Sequence, residues 1–327
     1  MKAAMIQLPN ILQFRPQLFP MIWGGHSLAR YKGIEAECDN IGESWEVSAV
    51  PGKESVVSGG LLDGMTVSDL VSCYGSALLG TCSEARYGLK FPLLIKFIDA
   101  DADLSIQVHP SDELAASRHN SLGKTEMWYV IETRPGAVIK AGLREQLDPD
   151  SYRRRVADGT FAEAVQGYEA APGQSYFIPA GRVHAICAGN LLAEIQETSD
   201  ITYRIFDYNR RDKNGNLRRL HTAEAADAID YTVLPDYRNT PRVTGPDTEE
   251  IVACDHFRVD KIELSSSSHP VAPRGESFVV VMCIGGTARL TSGSDSVELR
   301  RGHTALLPAA APESEVSGTA TLLVVRV

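Results

Sequence analysis

Residues 173–186 read GQSYFIPAGRVHAI. An apolar, aromatic run, SYFI, leads into Pro179 and Gly181, and this Pro-x-Gly suits a tight turn because proline fixes φ and glycine accepts positive φ. The turn delivers His184 to the start of a following strand. A histidine so placed is either a locally hydrogen-bonded structural residue or a metal ligand. Short β-type segments recur on both sides: FPLLIKFIDA at 91–100, LSIQVHP at 104–110, EMWYVIET at 126–133, LLAEIQET at 191–198 and ITYRIFDY at 201–208. Gly, Pro, Asp and Asn punctuate them. That density of short strands and turns predicts a mainly β protein, a sandwich or barrel.

Three stretches carry helix signals instead. Thr66, with Asp69 three residues on, suits a capping box; Ser111 precedes two acids that favour a helix start; Asp148 followed by Pro149 is a cap and first-residue pair. The last opens a helical insertion over about residues 145–171. The polar, Pro-rich stretch PDYRNTPRVTGPDTEE at 235–250 marks a domain boundary. This predicts an N-terminal domain over 1–240 and a smaller β-sandwich over 250–327, with the SSSS run at 265–268 as a loop.

The chain has 327 residues, 43% hydrophobic and 23% charged, which excludes disorder, collagen and coiled coil for the whole. Its net charge of −10 argues against non-specific binding to nucleic acid or anionic membrane, while leaving room for a local basic pocket. The N-terminal MKAAMIQLPNILQFRP lacks the features of a signal peptide, and no run approaches the roughly 18 apolar residues of a membrane helix. The six cysteines show no CxxC pair and read as reduced core thiols, so a cytoplasmic location is expected.

In LSIQVHP, alternation puts Leu104, Ile106 and Val108 on one face and Ser105, Gln107 and His109 on the other. The polar face either meets water or aims Gln107 and His109 at one ion. Glu126 opens the next strand as an edge charge or a ligand. With His184 these make four neutral or anionic donors on strands, enough to hold a divalent cation and leave room for water or substrate. The remaining histidines, His26, His119, His221, His256, His269 and His303, show no such grouping and read as structural.

The spacing of Gly173, Pro179, Gly181 and His184 resembles the second cupin motif. Gln107-Val108-His109, with Glu126 beyond an inserted helical stretch, departs from the usual close-set first cupin motif. Together with WGG at 23–25, IGESWEVS at 41–48, GKTEMWYV and ETSDITYRIFDYNR, this resembles type I mannose-6-phosphate isomerases of the short bacterial form. The resemblance implies two cupin-like β-sandwich (jelly-roll) domains and one Zn²⁺ per chain held by Gln107, His109, Glu126 and His184. It implies a sugar-phosphate substrate, interconverted between mannose 6-phosphate and fructose 6-phosphate.

An aldose–ketose isomerisation moves a proton between C1 and C2 through an enediol, so it needs oxygen polarisation, a proton carrier and an anchor for the distant phosphate. The resemblance assigns Lys124 to substrate contact, Glu194 to the vicinity of the reacting carbons and Ser105 to the phosphate side; Arg210 stands six residues after Arg204, where long-form relatives carry a phosphate-side lysine. Arg204, inside ITYRIFDY, is costly to bury unless paired, which favours an anionic partner. Trp45 reads as core packing, and Glu197 as an exposed neighbour of Glu194. In the C-terminal domain His303 has no ligand-spaced partner, so no metal is expected there. A monomer or homodimer is expected. The alternatives are a catalytically silent cupin that senses a sugar phosphate and a cupin dioxygenase, which would want a more open, His-rich site and no phosphate anchor.

Overall fold

The computed structural model describes residues 6–35, 37–211 and 214–327. Residues 1–5, part of the N-terminal stretch considered above, lie outside them. Three large antiparallel sheets dominate. The first runs, in spatial order, Ser175–Ile178, Glu126–Thr133, Asn190–Glu197, Leu93–Ala100, Ile41–Val47 and Gln17–Gly25. The second runs Tyr203–Phe206, Ile106–Val108, His184–Ile186, Val138–Leu143 and Val165–Glu169. The third is built wholly from residues after 241, including the long strands Arg258–Pro270, Val279–Ser292 and Ser314–Arg326.

The first two sheets enclose a core that mixes Ile98, Trp128, Val130 and Leu192 of one with Ile139, Ala141 and Ile186 of the other. The outer face of the second sheet is covered by helices through Tyr152, Phe161, Ala225 and Ala226. The outer face of the first packs Ile95, Phe97, Met127 and Ile195 against Val280, Met282, Leu323 and Val325 of the third sheet. Every residue of Leu93–Ala100 and of Asn190–Glu197 is therefore buried. Hydrophobic cover on both faces explains why FPLLIKFIDA is an almost continuous apolar run rather than an alternating one.

The helix signals are realised where the sequence puts them. Val67–Tyr74 starts at a Thr66–Asp69 capping box, Asp112–His119 at Ser111, and Pro149–Ala157 at an Asp148–Ser151 capping box with proline in the first turn. The stretch 145–171 is not helical throughout. Gly159 takes positive φ (72°) after the helix, and Val165–Glu169 becomes an edge strand paired with Val138–Leu143. The SSSS run also departs from expectation: it belongs to the strand Arg258–Pro270, whose ladder with Ser314–Arg326 continues across a bulge between Ser265 and Ser268, with Ser266 at positive φ. A bulge absorbs the extra residues that a loop would otherwise carry. All six cysteines are free, but Cys73 and Cys82 are exposed rather than in the core, and Cys38 and Cys254 only half-buried. Cys73 follows the apolar stripe of Val67, Leu70 and Val71 and falls on the solvent side of its helix. Among the described residues no helix is long and apolar enough to cross a membrane.

The third sheet is tied to the first by buried polar contacts. Lys32 Nζ lies 2.7 Å from Glu46 Oε1, both side chains 5% exposed or less, and also donates to the Gly302 carbonyl. Replacing Lys32 by methionine leaves Glu46 buried without its cation and is expected to cost about 3–5 kcal/mol. Combining it with Glu46→Leu should recover most of that loss; urea unfolding of the single and double variants measures both.

A buried His–Glu–His cluster beside a basic cavity

The turn inferred from residues 179–181 is present, and it docks. The Arg182 amide donates to the Pro179 carbonyl (3.1 Å), and the Gly181 amide donates to the His109 carbonyl (2.9 Å). Gly181 has φ 88°, and a Cβ there would meet the Ala228 carbonyl oxygen at 3.0 Å. The positive φ favours glycine, and the close carbonyl adds to the cost of any side chain there. The same turn thus positions both histidines.

Register does the rest. Gln107 pairs with His184 on one side and with Arg204 on the other, so these three residues form a row across the second sheet. In the first sheet Glu194 pairs with Lys96 on one side and Trp128 on the other, and Glu126 lies two residues before Trp128, on the same face. Both rows border one cavity. Its volume of about 150 Å³ is that of a handful of waters and fits a small molecule.

His109, Glu126 and His184 are all buried, with donor atoms close enough to share an ion. His109 Nε2 lies 3.6 Å and His184 Nε2 3.4 Å from the Glu126 carboxylate. The Nδ1 atoms of both rings are held at 2.8 Å by the carbonyls of Ile201 and Arg182. That places the protons on Nδ1 and leaves both Nε2 lone pairs facing Glu126. Burial and the nearby Lys124 charge hold His109 well below its usual range; burial likewise takes His184 down to about 3. Both are neutral ligands at physiological pH. Glu126 Oε1 is buried with no hydrogen-bond partner. Gln107 Nε2 lies 3.2 Å from His184 Nε2, and a half-turn of the amide would bring its carbonyl oxygen there instead. An orphaned carboxylate oxygen, two lone pairs and an amide oxygen form a donor set that fits a divalent cation. A positive charge already sits there: Lys124 Nζ contacts Glu126 Oε2 and lies 3.1 Å from His109 Nε2.

Lys124 is buried, as is Glu194, whose Oε1 lies 2.7 Å from Lys96 Nζ and whose Oε2 accepts from Trp128 Nε1 at 2.8 Å. Burial drives both carboxyls upward. Glu126 stays high because Glu194's charge adds to the effect; Glu194 is instead held low by Lys96, Lys124 and its hydrogen bonds. Lys96, and Glu43 3.8 Å from it, carry no role in the sequence reading, yet both line the cavity. A lysine inside an apolar strand is costly unless paired, and that rule was the available signal.

Ser105 lines the same cavity and donates to Gln107 Oε1 (3.1 Å). Arg204 lines it too; its buried Nε has no partner and its NH1 donates to the Arg219 carbonyl (3.2 Å). Burial and the neighbouring Arg218 charge lower Arg204's pKa. Arg210 is directed to the Asp207 carboxylate and to the carbonyls of Asp207 and Asp103. Trp45 is core, packed on Phe19, while its Nε1 donates to Glu43 (2.6 Å). Two expectations are corrected. Glu197 is 1% exposed, because the third sheet covers its face, and His256 of that sheet's loop lies 2.9 Å from it. His256 therefore has a grouping after all: with Glu197 and the exposed Asp112 it forms a second cluster, in which the Glu197 ion pair already supplies a partner. Nothing in the local sequence links 197 to 256.

Fold and cluster together define a cupin-class protein with a buried histidine–carboxylate cluster beside a polar cavity. Residues 247–327 match the family described as mannose-6-phosphate isomerase, cupin domain, and residues 11–138 match phosphomannose isomerase type I, catalytic domain. Mannose-6-phosphate isomerase ManA of Bacillus subtilis (strain 168) is 34% identical over 316 residues, 96% of this chain and 98% of that protein. The mannose-6-phosphate isomerase of Streptococcus mutans is 32% identical over 302 residues, 91% of this chain and 92% of that protein. A crystal structure of the Bacillus subtilis mannose 6-phosphate isomerase superposes with a TM-score of 0.89 at 30% identity, covering 98% of this chain and all of that one. Phosphomannose isomerase from Salmonella typhimurium shares the fold at a TM-score of 0.81 and 17% identity, over 97% of this chain and 99% of that one. The chain belongs to the type I mannose-6-phosphate isomerase family.

Proposed function

We propose that this chain, a mannose-6-phosphate isomerase by family, interconverts mannose 6-phosphate and fructose 6-phosphate in the cytoplasm with one zinc ion per chain. The observation that carries the reading is the junction of two features in one cavity wall: Gln107 and Lys124 line the cavity and touch the His109–Glu126–His184 cluster, while the buried, unpaired Nε of Arg204 stands on the same wall. One end suits a polarised sugar oxygen, the other a phosphoryl group.

His109, Glu126 and His184 would hold the ion, with Gln107 as fourth ligand. When bound, such an ion would supply Lewis-acid polarisation of a substrate oxygen, which would acidify the neighbouring C–H. Glu194, kept ionised by Lys96 and Lys124, takes the C2 proton and returns it to C1. The ammonium groups of Lys96 and Lys124 stabilise negative charge on the enediol oxygens. Arg204 and Ser105 grip the phosphoryl end and fix the sugar's register against Glu194. Residues 1–240 form the catalytic unit. Residues 250–327 form a cupin-like unit without its own metal that packs against it, supported by the Lys32–Gly302 and His256–Glu197 contacts.

Purified protein incubated with mannose 6-phosphate should produce fructose 6-phosphate, lose that activity to a chelator and regain it with added zinc. No turnover in the presence of zinc would favour a silent cupin that binds a sugar phosphate.

A further inference from the structure

The chain after Arg204 turns back on itself. Tyr208 and Asn209 both take positive φ, Arg211 and Leu217 form a bridge, and the Arg218 amide donates to the Arg210 carbonyl at 3.3 Å. This hairpin brings Arg218 back to the cavity: among the described residues lining it, the arginines are Arg204 and Arg218. Two guanidinium groups then share one buried carboxylate, Asp207. Arg210 contacts Asp207 Oδ1, and Arg218 NH1 donates to the same oxygen at 3.2 Å. Arg210 is further committed to two carbonyls and lies over the Tyr208 ring. Arg204 has no carboxylate within ion-pair distance among the described contacts, and its buried Nε is unpartnered. One aspartate shared by Arg210 and Arg218 leaves Arg204 without a carboxylate, and the two guanidiniums that line the cavity, Arg204 and Arg218, keep donors that no described contact uses.

We propose that Arg218 is the second phosphoryl-recognising guanidinium, acting with Arg204, and that Arg210 is a positioning residue that holds Asp207 and through it orients Arg218. The inference rests on the sugar-phosphate reading of the site and deepens it: it locates selectivity for a phosphorylated over a free sugar in a hairpin outside the two sheets. A planar fork offers two parallel donors to phosphoryl oxygens, so two arginines account for a dianion better than a single one.

The test uses the zinc-loaded full chain and four proteins: wild type, Arg218→Gln, Arg218→Lys and Arg210→Ala. Steady-state kinetics with mannose 6-phosphate and inhibition by inorganic phosphate are measured for each. Arg218→Gln should raise KM and the phosphate inhibition constant together, by roughly 10- to 100-fold, the usual worth of a hydrogen bond to a charged group. Its kcat should stay within a few-fold of wild type. Arg218→Lys should recover part of both constants, an outcome a merely structural role would not give. Arg210→Ala should show a smaller rise. Unchanged KM and phosphate inhibition in Arg218→Gln, or a larger effect in Arg210→Ala than in Arg218→Gln, would overturn the assignment. A wild type with no turnover would sink the isomerase reading instead. Phosphate-dependent thermal stabilisation, present in wild type and lost in Arg218→Gln, then still supports the role of Arg218, and its persistence in the variant refutes it.

Discussion

Alanine in place of His184 is expected to strip the protein of its metal and its isomerase activity together. His184 Nε2 faces Glu126 at 3.4 Å and Gln107 at 3.2 Å, and its ring stands edge-on to Trp128 with centroids 5.2 Å apart. Truncation removes a neutral nitrogen donor and leaves Glu126 in a void with one fewer polar neighbour. Losing only an outer partner of a metal ligand typically costs about 10–100-fold in affinity or activity. Loss of a direct ligand should exceed that, taking kcat/KM down by more than about 100-fold. Metal analysis and turnover of the same preparation read both effects. A variant that keeps a full complement of metal, or that keeps wild-type turnover without it, contradicts the role given to His184.

Arg204→Ala should separate the two losses. Arg204 sits beside Gln107 in the register but contacts none of the three cluster residues through its side chain; its recorded side-chain bond is to the Arg219 carbonyl. The metal content should therefore stay at wild-type level. Removing a buried cation from a phosphoryl group costs on the order of 2–5 kcal/mol, so kcat/KM should fall by roughly 30- to 1,000-fold or more. Loss of bound zinc in this variant would refute a phosphoryl role and make Arg204 a structural support for the metal strands.

Much of this site was legible in the sequence because its ligands are chemically conspicuous. Gln107, Glu126 and His184 are polar residues on strands, His109 stands just past the end of one, and a Pro-x-Gly turn announces the last of the four. The strand segments quoted between residues 91 and 208 followed from punctuation and β-branched or aromatic content, whereas Val138–Leu143 and Val165–Glu169 did not. What escaped was whatever depends on pairing across the chain. Lys96 meets Glu194 because the two strands align in that register, and a one-residue slip would have turned the lysine to the other face. Glu197 looked exposed because a sequence shows alternation but not the third sheet that covers it. Arg218 has no place in the sequence analysis, and only the fold brings it to the cavity beside Arg204. The serines at 265–268 looked like a loop because local preference was set against a 13-residue ladder that overrode it.

The proposed chemistry depends on one divalent cation held between His109, Glu126, His184 and Gln107. Anomalous diffraction from crystals of the zinc-loaded protein, recorded on either side of the zinc edge, tests it most directly. One strong peak per chain is expected within bonding distance of both Nε2 atoms and a Glu126 oxygen. An active, zinc-loaded protein whose peak lies elsewhere, or which shows no peak at all, would contradict it.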